Sequence, residues 1–268
     1  MNVYPSNRYP FPKLCLALAH GFLKNAVYVD GTRWQSQDIS NLPQMTAREL
    51  RHVSFDMKIP ETMVELQQQV EPNLPWAEDH FQERVSGKPL NPAPSEAWWP
   101  FAVQGNKDHK MTEVYAHTYP ERIWPKQAGL DREAIDDGAD FFSNHGIRFE
   151  YGDLSDVVNL LNNDPYTRQA YLPIWFPEDT GVVHGERVPC TLGYHFLMRL
   201  GRLDITYYMR SCDFIRHFRD DVYMASRLCQ WVANHMDGVV PGVLNMHISS
   251  FHVFRGDMPL LERMVDAT

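Results

Sequence analysis

The stretch from Val188 to Asp221, VPCTLGYHFLMRLGRLDITYYMRSCDFIRHFRDD, constrains this chain most, because it specifies two paired strands and the residues they bring together. From Thr191 to Leu200 the residues alternate, with Leu192, Tyr194, Phe196, Met198 and Leu200 on one face and Thr191, Gly193, His195 and Arg199 on the other, as a strand of period two requires. The first set is assigned to the core. Leu200-Gly201-Arg202 then reverses the chain, since glycine tolerates the positive φ of a short hairpin loop. Leu203 to Arg210 returns as the partner strand, which sets Cys190 beside Arg210, Ser211, Cys212 and Asp213. A guanidinium beside a thiol favours the thiolate, and the same guanidinium with Ser211 can hold a phosphate through charge-assisted hydrogen bonds. Nucleophile and anion are therefore expected in one pocket. Taken alone, Cys190 is as readily a buried, inert residue, since free cysteine packs like a small hydrophobe.

With 268 residues and 44% hydrophobic content the chain can bury a sizeable core, and it reads as a single domain over 1–268. A net charge of −9 and a pI near 5.7 argue against direct nucleic-acid binding, which needs a basic face. An anionic substrate must then rely on a local arginine cluster. Cys15, Cys190, Cys212 and Cys229 show no paired spacing, and the N-terminus has no signal-peptide pattern, so a reducing cytoplasm is the expected compartment. No apolar run is long enough for a membrane span. No His/Cys/Asp group has zinc spacing, so no metal is expected.

Along the chain, Pro12 to Asn25 reads as a helix, Asp30-Gly31 as a turn, Leu50 to Ile59 as a strand and Glu61 to Val70 as a short helix. Pro72 to Gly87 carries Trp76, Glu78, Phe81 and Val85 at helical intervals; Lys88 to Pro100, with four prolines, reads as an irregular loop, and Gly105 to Thr112 as a polar one. Asp153 to Asn163 is an amphipathic helix capped by Ser155 or Asp156, and Arg168 to Phe176 a strand. Asp220 to Met236 is a helix lined by Val222, Ala225, Leu228, Cys229, Val232 and Met236, and Gly242 to Phe254 is the last strand. N-capping and the helix dipole alone account for Asp220 and Asp221 at that helix start.

Pro189-Cys190, then Arg210-Ser211-Cys212-Asp213, then a helix-opening acid eight positions later, resemble the core of the thymidylate synthase and pyrimidine-nucleotide hydroxymethylase family. Leu160 to Arg168, LLNNDPYTR, resembles its passage into a phosphate-binding arginine, Val114-Tyr115 its active-site tyrosine segment, and Met246 to Phe254 its sugar-binding segment. The likeness covers residues 112–256, and residues 1–111 diverge. It implies an α/β (α+β) layered fold, with a large mixed or antiparallel sheet packed by helices, and a homodimer through the sheet. It further implies that Cys190 attacks C6 of a pyrimidine deoxynucleotide monophosphate, and that 5,10-methylenetetrahydrofolate supplies a one-carbon unit to C5. Splitting one hard substitution into two easier steps is what a covalent nucleophile achieves.

The same resemblance implies further roles. Arg210 and Ser211 bind phosphate, joined across the dimer by Arg168; Arg33 is either another phosphate ligand or an ordinary exposed arginine. Glu78, with Glu83 as competitor, handles protons; Tyr115 stands by the nucleophile; Asp213 binds folate and holds its loop. Trp98 and Trp99 flank the folate, and His252, with His247 as second candidate, meets the sugar. Asp221, or Asp220 if the loop shifts by one, reads the pyrimidine edge, and an aspartate suits cytosine because a protonated carboxyl meets both an amino donor and a ring acceptor. The end of the chain at Thr268 is expected to leave the site open to water, which favours a hydroxymethyl product from dCMP, a chemistry typical of bacteriophages that modify their DNA precursors. The alternatives are a dCMP methyltransferase, a dUMP hydroxymethylase or thymidylate synthase, and a silent nucleotide-binding scaffold. Ala116, Gln169, Thr191, His217 and Phe254 depart from the family pattern.

Overall fold

The computed structural model describes residues 2–4, 10–34, 37–100, 114–126, 151–183, 185 and 187–266. The expected loop at Gly105 to Thr112 lies outside them. Among the described residues a mixed sheet runs in the order β1 (Asn2–Tyr4), β5 (Ala47–Lys58), β9 (Val240–Phe254), β8 (Arg202–Asp213), β7 (Thr191–Arg199) and β6 (Tyr171–Pro173). β2 (Val27–Val29) also pairs with β5, while β3 (Arg33–Trp34) and β4 (Gln37–Asp38) form a separate ribbon. β5–β9, β8–β7 and β7–β6 are antiparallel, whereas β1–β5 and β9–β8 are parallel.

One face of the sheet is packed by helices. α1 (Phe11–Asn25) starts with Pro12 in its first turn and buries Phe11, Leu14, Cys15, Leu18, Ala19 and Phe22, a stripe at three-to-four spacing. α6 (Phe218–Ala233) crosses the centre of the sheet and is buried almost all round, its polar Asp220, Asp221, Ser226 and Gln230 included. An aromatic cluster ties these layers together, with Phe22–Phe251 centroids at 5.2 Å, Phe218–Phe251 at 5.0 Å and Phe55–Phe218 at 5.5 Å. α2 (Met63–Val70), α3 (Trp76–Arg84) and α4 (Tyr119–Ile123) flank it, followed by α5 (Leu154–Asn163) and α7 (Met258–Asp266). No helix of the described residues is long and apolar enough to cross a membrane.

The inward alternation breaks in the middle of the sheet. Val53, Ile248, Met209 and Thr191 form one buried row, and Leu50, Phe251 and Cys212 form the next, with two residues per strand between them. His52, at the break in β5, has φ 53°. β7 has its own bulge between Thr191 and Gly193, which corrects the face assignment: Thr191 points inward with Tyr194, Phe196 and Met198, and Leu192 is only half-buried. Simple period-two reading cannot register an inserted residue. Leu200 is 96% exposed with φ 51°, part of the turn rather than of the core. Gly193 lets the edge strand lie close, since a Cβ there would stand 2.8 Å from the Leu172 carbonyl oxygen.

Some boundaries differ from expectation for local reasons. Asp153 caps α5, accepting from the Ser155 and Asp156 amides. The strand expected over Arg168 to Phe176 is confined to Tyr171–Pro173, where proline removes a ladder donor. The loop after Lys88 contains a short 3-10 turn over Pro94–Trp98.

Candidate active site

Cys190 lies just ahead of β7, half-buried, at the level where β8 ends. The hairpin register brings the Arg210 amide to the Cys190 carbonyl at 2.9 Å. The Arg210 side chain then folds back on the same loop, Nε donating to the Pro189 carbonyl at 2.7 Å and Nη2 to the Val188 carbonyl at 2.9 Å. Nη2 also stands 3.8 Å from the Cys190 Sγ. The guanidinium thus holds the nucleophile's loop as well as facing its sulfur. Burial pushes the Cys190 thiol above its ordinary range, and Arg210 offsets only part of this while Asp221 adds to it. Arg210 acts in the expected direction, but desolvation disfavours the charged form more than one arginine restores it.

Beyond Cys190, Thr191 Oγ1 donates to the Tyr119 hydroxyl at 3.1 Å and lies 2.8 Å from the Tyr207 hydroxyl. Tyr207 stacks on Tyr194 with centroids 4.6 Å apart. Tyr119 opens α4 after Thr118, whose side chain and Glu121 form a reciprocal capping box. The Arg84 guanidinium lies 4.0 Å over the Tyr119 ring. Arg84 and His80 are both buried on α3, with Arg84 Nη2 3.1 Å from His80 Nε2.

Asp221 lies in the first turn of α6, 9% exposed, and its Oδ2 accepts from the Cys212 thiol at 3.5 Å. Burial raises its pKa to about 7, against the pull of Arg84 and with a further push from Asp220. Asp220 is engaged otherwise, its two oxygens accepting from the Asn73 amide and side chain at 2.8 Å each. Asp213 ends β8, where its Oδ1 accepts from the Ile215 and Arg216 amides at 2.9 and 3.0 Å and sets the loop into α6. Its buried Oδ2 has no hydrogen-bond partner, and burial raises the carboxyl to about 6. On the same loop His217 stacks on Trp99 at 4.6 Å, its pKa lowered to about 4 by burial.

A cysteine, an arginine facing its sulfur and a buried acid in the first turn of α6 stand together in an arrangement suited to covalent chemistry on a polar ring. A sequence profile of the thymidylate synthase family matches residues 80–268. The chain belongs to this family. A Methanosarcina acetivorans protein carrying a thymidylate synthase description is 29% identical over 168 residues, spanning 57% of this chain and 75% of that protein. A Methanosarcina mazei protein matches to the same extent, and one from Methanosarcina barkeri is 27% identical over 163 residues, covering 55% and 73%. Thymidylate synthase family members carry out folate-dependent one-carbon transfer to C5 of a pyrimidine nucleotide, with methylenetetrahydrofolate as donor. The match starts at His80, well ahead of the 112–256 core expected from motifs.

Within the thymidylate synthase framework, the structure gathers Cys190, Arg210, Asp213 and Asp221 and sets Trp99 against the loop that joins Asp213 to Asp221. His252 pairs in register with Asp213, and its pKa is lowered to about 4, by burial first and by Arg210 among its neighbours. Ser211 follows Arg210 in β8, opposite Ser250. Trp98 packs partly buried against the core. Arg168 is exposed, its carbonyl accepting from His195 Nε2 at 3.1 Å, and Arg33 is exposed on the β3–β4 ribbon. Among the described residues no group of three or more His, Cys, Asp or Glu side chains could hold a metal ion.

Three expected residues stand in other settings. Glu78 is clamped by Arg227 at 2.8 and 3.0 Å, by the Tyr223 hydroxyl at 2.6 Å and by Gln82 at 2.7 Å. Burial alone would raise its pKa, but these donors outweigh it and hold the carboxyl low, a poor setting for relaying protons. Glu83 is likewise held low by His80 and Ser95 despite burial. Tyr115 is fixed through its backbone, its amide on Asn91 Oδ1 at 2.9 Å and its carbonyl on Asn91 Nδ2 at 2.8 Å; the hydroxyl joined to Thr191 belongs to Tyr119. Tyr119, His80 and Arg84 were missed. The capping pattern Thr118-x-x-Glu121 and the spacing Trp76, His80, Arg84 were the available signals.

Proposed function

We propose that this chain transfers a one-carbon unit from 5,10-methylenetetrahydrofolate to C5 of dCMP and releases 5-hydroxymethyl-dCMP. The observation that carries the reading is Asp221: a buried carboxyl with a pKa near 7 offers both a donor and an acceptor at neutral pH. Cytosine presents an amino donor next to a ring acceptor, and that pair matches a protonated carboxyl. An asparagine amide suits uracil better.

Cys190 adds to C6, and Arg210 keeps the loop in reach while its remaining Nη1 is directed to the phosphate with Ser211 and, from the partner subunit, Arg168. The co-substrate supplies carbon at the formaldehyde oxidation level. Asp213 fits it, because its buried Oδ2 has no hydrogen-bond partner, the Arg216 Nε standing 3.9 Å away, and a pterin N–H would meet that need. Trp99, backed by His217, offers a flat apolar wall beside it. Once C5 has taken the carbon and lost its proton, water adding to the exocyclic methylene carbon on C5 gives the alcohol and lets Cys190 leave C6; exclusion of water in favour of hydride at that carbon would give a methyl group. Dimerisation through the outer face of the sheet is part of the same reading. His52, Ser54, Leu192, Tyr208 and His247 line a groove there of about 350 Å³.

Incubation with methylenetetrahydrofolate and either dCMP or dUMP, followed by mass spectrometry of the nucleotide, tests this. Hydroxymethylated dCMP is the expected product. A methylated product would overturn the water step, turnover of dUMP alone would overturn the role of Asp221, and no product from either would leave a nucleotide-binding scaffold.

A further inference from the structure

Arg84 is 6% exposed, yet its Nε has no hydrogen-bond partner. Its Nη2 meets the imidazole of His80 rather than a carboxylate, and His80 in turn is committed to the Ser95 hydroxyl at 2.7 Å. Burying a cation without an anion is costly. Neighbouring tyrosines and Asp221 nonetheless keep the guanidinium charged against the effect of burial. The location explains what such a charge is for. Contacts run without a gap from Cys190 to Thr191, from the Thr191 hydroxyl to Tyr119, and from the Tyr119 ring to the guanidinium 4.0 Å above it. α3 is also tied down at this point, since the Arg84 carbonyl accepts from Trp124 Nε1 at 2.8 Å.

We propose that Arg84 is a catalytic residue whose free Nε–H contacts the bound pyrimidine and stabilises the anion formed when Cys190 adds to the ring; this rests on the reaction proposed above. When the Cys190 thiol gives up its proton to solvent and the resulting thiolate pair forms the S–C6 bond, the C5=C6 π pair moves onto C5 and spreads through C4 to N3 in cytosine or to O4 in uracil. The ring gains one negative charge and nothing is oxidised. A fixed cation in a pocket sheltered from water stabilises that charge without having to reorganise. Asp221 then reads the edge of the base while Arg84 answers its charge, and the two act on different stages of the reaction.

The test uses Arg84→Gln and Arg84→Lys in the full chain, with methylenetetrahydrofolate and dCMP or dUMP. Loss of the H5 signal of the nucleotide is followed by proton NMR, and nucleotide affinity by calorimetry. Arg84→Gln is expected to slow H5 loss by about 10²–10³-fold, the usual effect of deleting one preorganised donor, with affinity changed by less than about threefold. Arg84→Lys is expected to recover part of the rate. A rate for Arg84→Gln near that of the wild type would overturn the proposal, as would a fall in affinity that matches the fall in rate with no recovery in Arg84→Lys. Were Arg84→Gln not to fold, the same two readings on Arg84→Lys decide, a reduced rate at unchanged affinity being expected. Wild-type protein that releases no H5 from either nucleotide would overturn the underlying reaction, and the role of Arg84 with it.

Discussion

The core beneath the sheet has two unlike halves. Under β5 and β9, Phe11, Phe22, Phe55, Phe214, Phe218 and Phe251 interlock, each 4% exposed or less. Under β7 and the end of β8, an equally buried region holds Arg84, Thr191, Asp213 and Asp221, with Arg84 Nε and Asp213 Oδ2 unmatched. α6 passes through both, giving Phe218 to the first and Asp221 to the second. The aromatic half gains stability from every neighbour. The polar half leaves hydrogen-bonding capacity unmet, which costs stability and leaves it for a ligand to satisfy.

If the halves divide stability from chemistry in this way, substitutions should separate them. Cys190→Ser, on the polar side, is expected to abolish turnover while leaving the thermal midpoint and nucleotide binding nearly unchanged; steady-state assay with calorimetry checks this, and a variant that still turns over would remove the covalent step. Phe218→Ala, on the aromatic side, is expected to cost about 3–5 kcal/mol in denaturant unfolding. Asp221→Asn should shift preference from dCMP toward dUMP and also reshape stability against pH. The Asp221 carboxyl has a folded pKa near 7, well above an ordinary aspartate, so the folded state binds the extra proton. Wild-type stability should then fall as pH rises from about 4 to 7, by at most about 1.4 kcal/mol per unit from this group. The variant should be flatter over that window, as thermal melts at several pH values would show. The smallest effect on chemistry is expected for Glu78→Gln, which lies in neither half: kcat within about threefold and a stability loss of about 1–2 kcal/mol.

The hairpin, the first helix and the long helix after the hairpin were legible in the sequence, whereas the phenylalanine cluster of the aromatic half was not singled out. Alternation in β7 and three-to-four spacing in α6 are consequences of burying one face of an element, and burial writes itself into residue type. Cys190, Arg210 and Asp213 were legible because a hairpin register is set by its turn. The break in alternation was not. It falls inside β5, β9 and β8 at one level and in β7 at the bulge after Thr191, and an inserted residue leaves no mark in residue type; Leu192 was placed inward for that reason, whereas Leu200 belongs to the turn. Arg84 was hidden differently: a buried arginine at helical spacing reads as a solvated charge until the tertiary fold lays it over Tyr119. Glu78 shows the converse, a plausible acid by position that Arg227 and Tyr223 claim in the folded chain.

The measurement that bears most directly on the account is peptide mass spectrometry of the protein after incubation with methylenetetrahydrofolate and 5-fluoro-dCMP or 5-fluoro-dUMP, whose C5 fluorine cannot leave as the proton does. A stable adduct is expected on the peptide containing Cys190, formed with the cytosine nucleotide in preference to the uracil one. An adduct formed with 5-fluoro-dUMP alone, or none at Cys190 with either, would contradict it.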